Sequence, residues 1–177
     1  MNSILIVLAH PDLIHSRVNR FLVERIQGIE GVTLNNLYDQ YPDFYIPKEE
    51  EQQKLLSHKH IVFQHPFYWY SAPALLKQWL DDVLGQGFAF GEGGNQLKGK
   101  TFTQVISTGG NEAAYQSSGY NGFTVSEFLR PFEQTARLCQ MEWQQPLLFQ
   151  GTRKRREKEL DAFAIQYQQK LEDLIRG

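Results

Sequence analysis

A short, uninterrupted apolar run near the start of the chain constrains the fold more than any other feature. Residues Ile4–Ala9 read Ile-Leu-Ile-Val-Leu-Ala, and most of these side chains are branched. A run of this kind is typical of a strand buried on both faces, as in a parallel sheet. An amphipathic stripe at Val18, Leu22 and Ile26 follows and ends near Gly28. The two features predict a strand and the crossover helix that a parallel sheet requires.

The same alternation continues to the end of the chain. Further strands are predicted over residues 32–37, 60–64, 102–107 and 141–149, and helical stripes separate and follow them. Pro131 should kink its helix or delay its start, and Pro146 interrupts the last strand. Strands that alternate with helices imply right-handed crossovers and helices on both faces of the sheet. We predict an α/β, flavodoxin-like three-layer sandwich over residues 1–177, as a single domain, with a five-stranded parallel sheet in the order 2-1-3-4-5.

The composition argues against several classes of protein. The chain has 18 Lys and Arg against 20 Asp and Glu, so it lacks the basic excess expected of a protein that binds nucleic acid. Its longest apolar run is far short of the roughly 20 residues that span a membrane, and no signal peptide is visible. Cys139 is the only cysteine, so no internal disulfide can form. We therefore expect a cytoplasmic location.

Three segments follow the carboxyl ends of predicted strands, where open parallel sheets bind their ligands. They are residues 10–19 after the first strand, 66–70 after the third and 108–111 after the fourth. Each has an unusual composition for a plain connection. Together they predict one ligand site at this edge of the sheet.

The first segment has the features of an anion site. Ser16 can cap the helix that follows, which leaves the first-turn amides of Arg17, Val18 and Asn19 without partners inside the helix. The positive end of the helix dipole suits a phosphate at this point. Arg17 and the two histidines of the segment, His10 and His15, could add donors. In the alternative interpretation Ser16 is only a helix cap, and the histidines are surface residues.

The second segment carries four consecutive aromatic residues, Phe67, Tyr68, Trp69 and Tyr70. Connections are usually solvated, so exposing four rings is costly unless something covers them. A flat heteroaromatic ligand or a partner subunit would do so. The alternative is that the rings pack beneath neighbouring loops.

The third segment is the turn Thr108, Gly109, Gly110 and Asn111. Glycine has no Cβ, so this turn allows the backbone to approach a ligand closely. A tight turn without a ligand is the alternative.

Residues 94–101 match the phosphate-loop pattern G-x-x-x-x-G-K-[ST] letter for letter. That motif requires a strand before it and a helix after it. Here a glycine-rich loop comes before it and a predicted strand comes after it. We therefore do not expect nucleotide hydrolysis.

Two other polar features are weaker. No spacing of His, Cys, Asp and Glu gathers the three or four ligands of a metal site, so we predict none. Residues 153–156 form a short basic run, Arg-Lys-Arg-Arg. A solvated helix face is the main interpretation of this run. A docking patch for an acidic partner or an anionic lipid is the alternative.

The ordered set of these segments resembles the NAD(P)H:quinone oxidoreductase (DT-diaphorase-like) family, whose members are flavodoxin-like FMN or FAD enzymes. The closest likeness is to the bacterial ancillary proteins of glutathione-regulated potassium-efflux systems. The resemblance spans nearly the whole chain. It is carried by residues 9–11, 16–19, 41–44, 64–66, 69–70, 73–81, 87–91, 93–97, 108–110 and 129–132.

The resemblance implies FMN as the cofactor, NAD(P)H as the co-substrate and a homodimer with its sites near the subunit interface. It implies that His10 and the helix start from Ser16 to Asn19 hold the phosphate and ribityl end, and that residues 67–70 cover the isoalloxazine. Residues 108–111 would approach the polar edge of the ring. It also implies that the catalytic residues are Tyr115, which lies beside the flavin, and Asn121, which takes the place of a histidine found in many relatives.

The reaction implied by the family is a two-electron, ping-pong reduction of a quinone. The closer likeness implies a second role, as an activator of a potassium-efflux antiporter at the cytoplasmic face of the membrane. Two alternatives stay open. One is a regulatory binding subunit with little catalysis, and the other is a one-electron carrier of the flavodoxin type.

Overall fold

A computed structural model of the chain describes residues 2–177. Its strands are β1 (Ile4–Leu8), β2 (Val32–Asn36), β3 (His60–Pro66), β4 (Thr101–Thr108), β5 (Glu142–Trp143) and β6 (Leu147–Gln150). Its helices are α1 (Arg17–Ile26), α2 (Leu37–Gln40), α3 (Lys48–Ser57), α4 (Ala74–Val83), α5 (Val125–Phe128), α6 (Arg130–Leu138) and α7 (Glu157–Arg176). Single 3-10 turns cover Leu13–His15, Tyr68–Tyr70 and Glu112–Ala114.

The strands form one parallel sheet in the order β2-β1-β3-β4-β5, and β6 also pairs with β4. This confirms the predicted flavodoxin-like order. The register pairs Val7 of β1 with Phe63 of β3, and Phe63 with Gln104 of β4. The carboxyl ends of β1, β3, β4 and β6 consequently meet at one edge of the sheet.

The predicted fifth strand is present, and it is interrupted at Pro146 as expected. It consists of two short strands, β5 and β6, which both lie parallel to β4 but at different heights along it. Pro146 lies between them. Because proline has no backbone N–H to donate to the ladder, the pairing is interrupted there and resumes at Leu147.

Side chains of β1 alternate between two cores, because successive residues of a strand point to opposite faces. Leu5 and Val7 lie in a core covered by α3, α4 and α6. Ile4 and Ile6 lie in a core covered by α1 and α7. Both faces of the central strands are therefore buried, as the uninterrupted apolar run predicts.

Two other sequence predictions concern local structure. The helix before Cys139 is broken at Leu129 into α5 and α6, and Pro131 is the second residue of α6, which confirms the predicted delay. The segment that matches the phosphate-loop pattern leads from turns directly into β4 at Thr101. A strand and not a helix follows the motif, as the sequence predicts.

Candidate functional site

Two cavities open at the edge of the sheet where β1, β3, β4 and β6 end. The first, which we call the helix lobe, has a volume of about 470 Å³. The second, the aromatic lobe, has a volume of about 340 Å³. Each is within the range of ordinary ligand pockets, roughly 300–1,000 Å³. Phe67 and Gly109 line both lobes, so the two form a single elongated site.

The helix lobe lies against the start of α1. It is lined by His10, Ser16, Arg17, Val18, Asn19, Pro66, Phe67, Tyr68, Ser107, Gly109, Thr152 and Arg153. The structure thus brings together the residues that the sequence analysis selected in the first segment, except His15, which does not line the lobe. It also adds Ser107, Thr152 and Arg153, which the sequence analysis did not select for this site.

Ser16 caps α1, and its Oγ accepts a hydrogen bond of 3.1 Å from the backbone N–H of Asn19. The prediction that the Asn19 amide is open to a ligand was therefore wrong, because the cap itself uses this donor. The amides of Arg17 and Val18 have no acceptor among residues 2–177. They are the donors that the helix start offers to the lobe.

Asn19 connects the helix start to the end of β4. Its side-chain amide donates to Oγ of Ser107 at 2.9 Å, and the residue is almost fully buried. Its Oδ1 is buried without a hydrogen-bond partner in the described part of the chain. A buried acceptor without a partner is costly in free energy. The Oδ1 of Asn19 therefore needs a hydrogen-bond donor that residues 2–177 do not supply.

Arg17 does not extend freely into the lobe as the sequence analysis expected. Its guanidinium donates to the carbonyl oxygens of Thr152 at 2.9 Å and of Arg155 at 2.7 Å. Arg17 therefore holds the segment after β6 against α1. Arg153, which lies on that segment, lines the lobe with an exposed side chain.

The sequence carried a signal for Arg153 that we assigned to a solvated face. Arg153 follows β6, and the carboxyl end of β6 meets the same edge of the sheet as the other strands. The rule that selected the first three segments therefore applies to this residue as well. The interruption at Pro146 concealed where the strand ends.

His10 is a neutral donor in the wall of the helix lobe. Burial lowers its pKa below the ordinary value of 6.5, and the Asp12 carboxylate opposes this only in part. Its Nδ1 accepts a hydrogen bond of 3.1 Å from the Asp12 amide. In the neutral ring the proton is then on Nε2, which has no partner within residues 2–177.

The aromatic lobe is lined by Phe67, Trp69, Tyr70, Gly109, Gly110, Ala114, Tyr115, Tyr120 and Asn121. Three of the four consecutive aromatic residues therefore line this lobe. Tyr68 lines the helix lobe instead, where its ring lies edge-on to His10 with centroids 6.2 Å apart. The four rings thus extend over both lobes rather than covering one.

The rings of the aromatic lobe differ in exposure. Phe67 and Tyr70 pack against Phe128, with centroids 5.9 Å and 5.0 Å apart. The side chains of Trp69 and Tyr120 are almost bare, with residue exposures of 92% and 93%. The alternative of four rings packed beneath loops therefore describes only part of the segment.

Tyr115 forms the inner wall of the aromatic lobe. It is nearly buried and contacts Phe67, with ring centroids 5.7 Å apart. Burial raises its pKa above the ordinary value of 10.0, and Tyr70 adds to this effect. Its hydroxyl consequently keeps its proton near neutral pH and remains a hydrogen-bond donor.

The four residues of the turn after β4 have different roles in the site. Gly109 lines both lobes, and a Cβ there would meet no atom within 4 Å. A Cβ on Gly110 would lie 2.9 Å from the Tyr115 ring, so only glycine fits beside that ring. Thr108 is buried, and its Oγ1 donates to the Gly110 carbonyl at 2.7 Å. Asn111 caps the next turn by accepting from the Ala114 amide at 3.1 Å.

Of the four residues in this turn, Thr108 and Asn111 line neither lobe. Their side chains shape the turn, whereas Gly109 and Gly110 border the cavities. Asn121 lies in the aromatic lobe, and its backbone N–H donates to the Ala114 carbonyl at 3.0 Å. The side chain of Asn121 makes no hydrogen bond within residues 2–177, so its amide is available there.

Comparison with known proteins assigns the chain to a family. The family model described as flavodoxin-like fold matches residues 2–171. The chain belongs to the flavodoxin-like fold family. This membership agrees with the parallel sheet and with a site at the carboxyl edge of its strands.

Within the flavodoxin-like fold family, the chain is similar to proteins with assigned roles. It is 48% identical to the glutathione-regulated potassium-efflux system ancillary protein KefG of Serratia proteamaculans, over 93% of this chain and 90% of that protein. The crystal structure of general stress protein 14 from Treponema denticola in complex with FMN has a TM-score of 0.92 and 36% identity, covering 97% of this chain and 99% of that one. An NADPH-quinone reductase from P. pentosaceus has a TM-score of 0.88 and 36% identity, covering 96% and 97%.

Proposed function

We propose that this protein is an FMN-dependent NAD(P)H:quinone oxidoreductase that works by a ping-pong mechanism. The observation that carries the proposal is the joining of two lobes of different chemistry at Phe67 and Gly109. One lobe offers hydrogen-bond donors and a cation, and the other offers aromatic rings. The similarity to an FMN-bound structure and to an NADPH-quinone reductase supports it.

The helix lobe suits the phosphate and ribityl end of FMN. The amides of Arg17 and Val18 lack acceptors, and they are at the positive end of a ten-residue helix. Arg153 adds a charge of the right sign. The buried Oδ1 of Asn19, which has no partner among residues 2–177, suits a hydroxyl donor such as those of a ribityl chain.

The aromatic lobe suits the ring system of the same cofactor. When bound, FMN would supply the two-electron chemistry between NAD(P)H and a quinone. Phe67 and Tyr70 offer apolar surface to a flat ring, while the bare backbone of Gly109 and Gly110 permits close approach. Tyr115 holds its proton as a donor. Asn121 can donate or accept a hydrogen bond but cannot take up a proton.

We further propose a homodimer in which a second copy covers the mouth of the aromatic lobe. Trp69 and Tyr120 line this lobe with bare side chains, and Phe123, whose ring contacts Phe128, is 55% exposed. A cluster of exposed rings of this kind is typical of an interaction surface. The covered lobe would exclude water from the reacting groups.

A second role is favoured by the identity of 48% to an ancillary protein of a potassium-efflux system. We propose that the protein also activates an antiporter of that kind from the cytoplasmic face of the membrane. Among residues 2–177, no helix has both the length and the apolar character needed to cross a bilayer. Under this proposal the protein associates peripherally with its partner.

The visible spectrum and the steady-state kinetics of the purified protein test the enzymatic proposal. We expect a yellow protein with flavin absorbance that oxidises NAD(P)H when a quinone is added. Initial rates at several quinone concentrations should give parallel double-reciprocal lines. A colourless protein that stays inert after incubation with FMN would contradict the proposal.

A further inference from the structure

A third, open cavity lies beside the two lobes and has a volume of about 1160 Å³. One wall is the segment from Gly109 to Gln116, and the other is the segment from Gly151 to Glu159. We call it the basic groove, because its lining contains five cations: Arg153, Lys154, Arg155, Arg156 and Lys158. Two carboxylates, Glu112 and Glu159, accompany them. The whole chain has a net charge of −2, so the groove has the opposite sign to the molecule.

Most of the charge in the basic groove is available to a ligand. Arg155 pairs with Glu159 at 2.5 Å, which neutralises one cation and one carboxylate. The other four cations form no ion pair within residues 2–177, and their side chains are exposed. Arg153 also lines the helix lobe, so Lys154, Arg156 and Lys158 are left for a second ligand. Unpaired Lys and Arg side chains form strong, charge-assisted hydrogen bonds with phosphate oxygens. The groove is therefore suited to a ligand with more than one phosphate.

The wall that carries these cations is tied to the rest of the site. The Gly151 N–H donates to the carbonyl oxygens of Thr108 at 2.9 Å and of Gly110 at 2.8 Å. Arg17 donates to two further carbonyl oxygens of the same segment, those of Thr152 and Arg155. The cations are consequently held at a defined position relative to the turn after β4.

The basic groove is continuous with both lobes. Gly109 lines all three cavities, and Gly110 and Ala114 line the groove and the aromatic lobe together. A dinucleotide whose nicotinamide ring lies in the aromatic lobe can therefore extend its phosphates and adenosine over the Gly109 turn into the groove. The groove is the charged cavity that lies across this turn from the aromatic lobe.

We propose that the basic groove binds the phosphorylated adenosine end of NADPH, and that its unpaired cations make the protein prefer NADPH to NADH. This inference rests on the proposed function, in which NAD(P)H is the hydride donor. NADPH differs from NADH by a phosphate on the adenosine 2′ oxygen. A groove with surplus cations favours the dinucleotide that carries the additional anion, as an arginine near the 2′ position does in other folds.

The test is the paired substitution Lys154→Gln and Lys158→Gln in the FMN-loaded protein. Both side chains line the groove, are exposed and line neither lobe. Arg153 is left unchanged because it also lines the helix lobe. The matched control is Lys48→Gln with Lys98→Gln, which removes the same charge from exposed lysines elsewhere. Two kinds of quantity are measured for each variant. The first is the KM for NADPH and for NADH, and the second is the affinity for adenosine 2′,5′-bisphosphate and for ADP.

We expect the groove pair to raise the KM for NADPH by about tenfold, because each lost hydrogen bond to a charged group weakens binding several-fold. The KM for NADH should change much less. The affinity for adenosine 2′,5′-bisphosphate, measured by calorimetry, should fall in parallel with the KM change, whereas ADP binding should change little. The control pair should leave all four quantities unchanged.

Equal use of NADH and NADPH by the unsubstituted protein would overturn the inference. An unchanged KM for NADPH in the groove pair would overturn it as well. A protein that binds FMN but oxidises neither dinucleotide would contradict the proposed function instead. In that case the bisphosphate titration still decides about the groove. If the groove pair loses affinity for adenosine 2′,5′-bisphosphate and the control pair does not, the result supports the site. If the unsubstituted protein does not bind the bisphosphate, the result overturns the site.

Discussion

His65, at the end of β3, is a fully buried histidine that is held in its neutral form. Its Nδ1 donates to the Pro66 carbonyl at 2.9 Å, so Nε2 is left to accept from the Gln104 amide at 3.0 Å. The ring stacks on Phe132, with centroids 5.9 Å apart. Burial lowers the pKa of His65 from 6.5 to about 4, and the bond to Pro66 opposes this only in part.

This histidine makes the stability of the protein depend on pH. Between about pH 4 and 6.5 the unfolded chain binds a proton at His65 that the folded chain does not. The free energy of unfolding is therefore highest above pH 6.5 and decreases as the pH falls towards 4. The decrease from His65 should be about 3 kcal/mol, since one pKa unit corresponds to about 1.4 kcal/mol.

Urea unfolding between pH 4 and 7 measures this effect. In the variant His65→Gln, the free energy of unfolding should lose a large part of its dependence on pH. This holds whatever the stability of the variant at pH 7. His15→Gln is the matched control, because the His15 side chain is 80% exposed. A wild-type protein whose free energy of unfolding is the same at pH 4.5 and pH 7 would contradict the prediction.

The turn after β3 shows what one element contributes to the site. Trp69 and Tyr70 both have left-handed backbone conformations, with φ of 50° and 61°. Bulky residues rarely adopt this conformation, which costs roughly 1–2 kcal/mol for each residue. The turn thereby directs the Trp69 ring away from the protein, where it is 92% exposed. Such strain is found at functional sites, and here we attribute it to the proposed dimer contact.

The prediction for this element is that Trp69→Asn weakens the dimer. Asparagine tolerates the left-handed conformation, so the backbone of the turn should be retained while the ring is lost. Sedimentation should show the unsubstituted chain at twice its mass of 20.6 kDa and the variant shifted towards 20.6 kDa. Ile165→Gln, which removes a 62% exposed apolar side chain on α7, should have no effect. A monomeric unsubstituted protein would exclude the proposed dimer.

For the molecule as a whole, the proposed activation of an antiporter is independent of the charge in the basic groove. We expect potassium efflux in cells that contain the antiporter to fall when this protein is removed and to recover when it is supplied again. The pair Lys154→Gln and Lys158→Gln should restore efflux as well as the unsubstituted chain, because the groove is assigned to NADPH.

Flux measured with a potassium electrode distinguishes the outcomes. Unchanged efflux in cells without the protein would contradict the regulatory role. Loss of activation in the groove pair would assign these lysines to an acidic surface of the transporter rather than to NADPH. The control pair Lys48→Gln and Lys98→Gln shows whether a change of net charge alone affects activation.

Most of the architecture could be predicted from short-range patterns. The apolar run at residues 4–9 and the stripe on α1 identify a strand buried on both faces and its crossover helix. The alternation left few strand orders, because the handedness and length of crossovers allow few arrangements, and the flavodoxin-like order is the first choice among them. The division of the last strand at Pro146 was visible as an interruption, but its effect on the pairing with β4 depended on the geometry of the sheet.

The site was predictable as a location but not in its individual contacts. The sequence by itself determined the order of the elements and the edge of the sheet where the polar, aromatic and glycine-rich segments meet, because periodicity and turn residues act over a few positions. Only the tertiary structure decided that Arg17 holds the segment after β6 while Arg153 lines the lobe. Those partners are more than 130 positions apart in the chain, and their contacts arise only when α1 and β6 pack at the same edge.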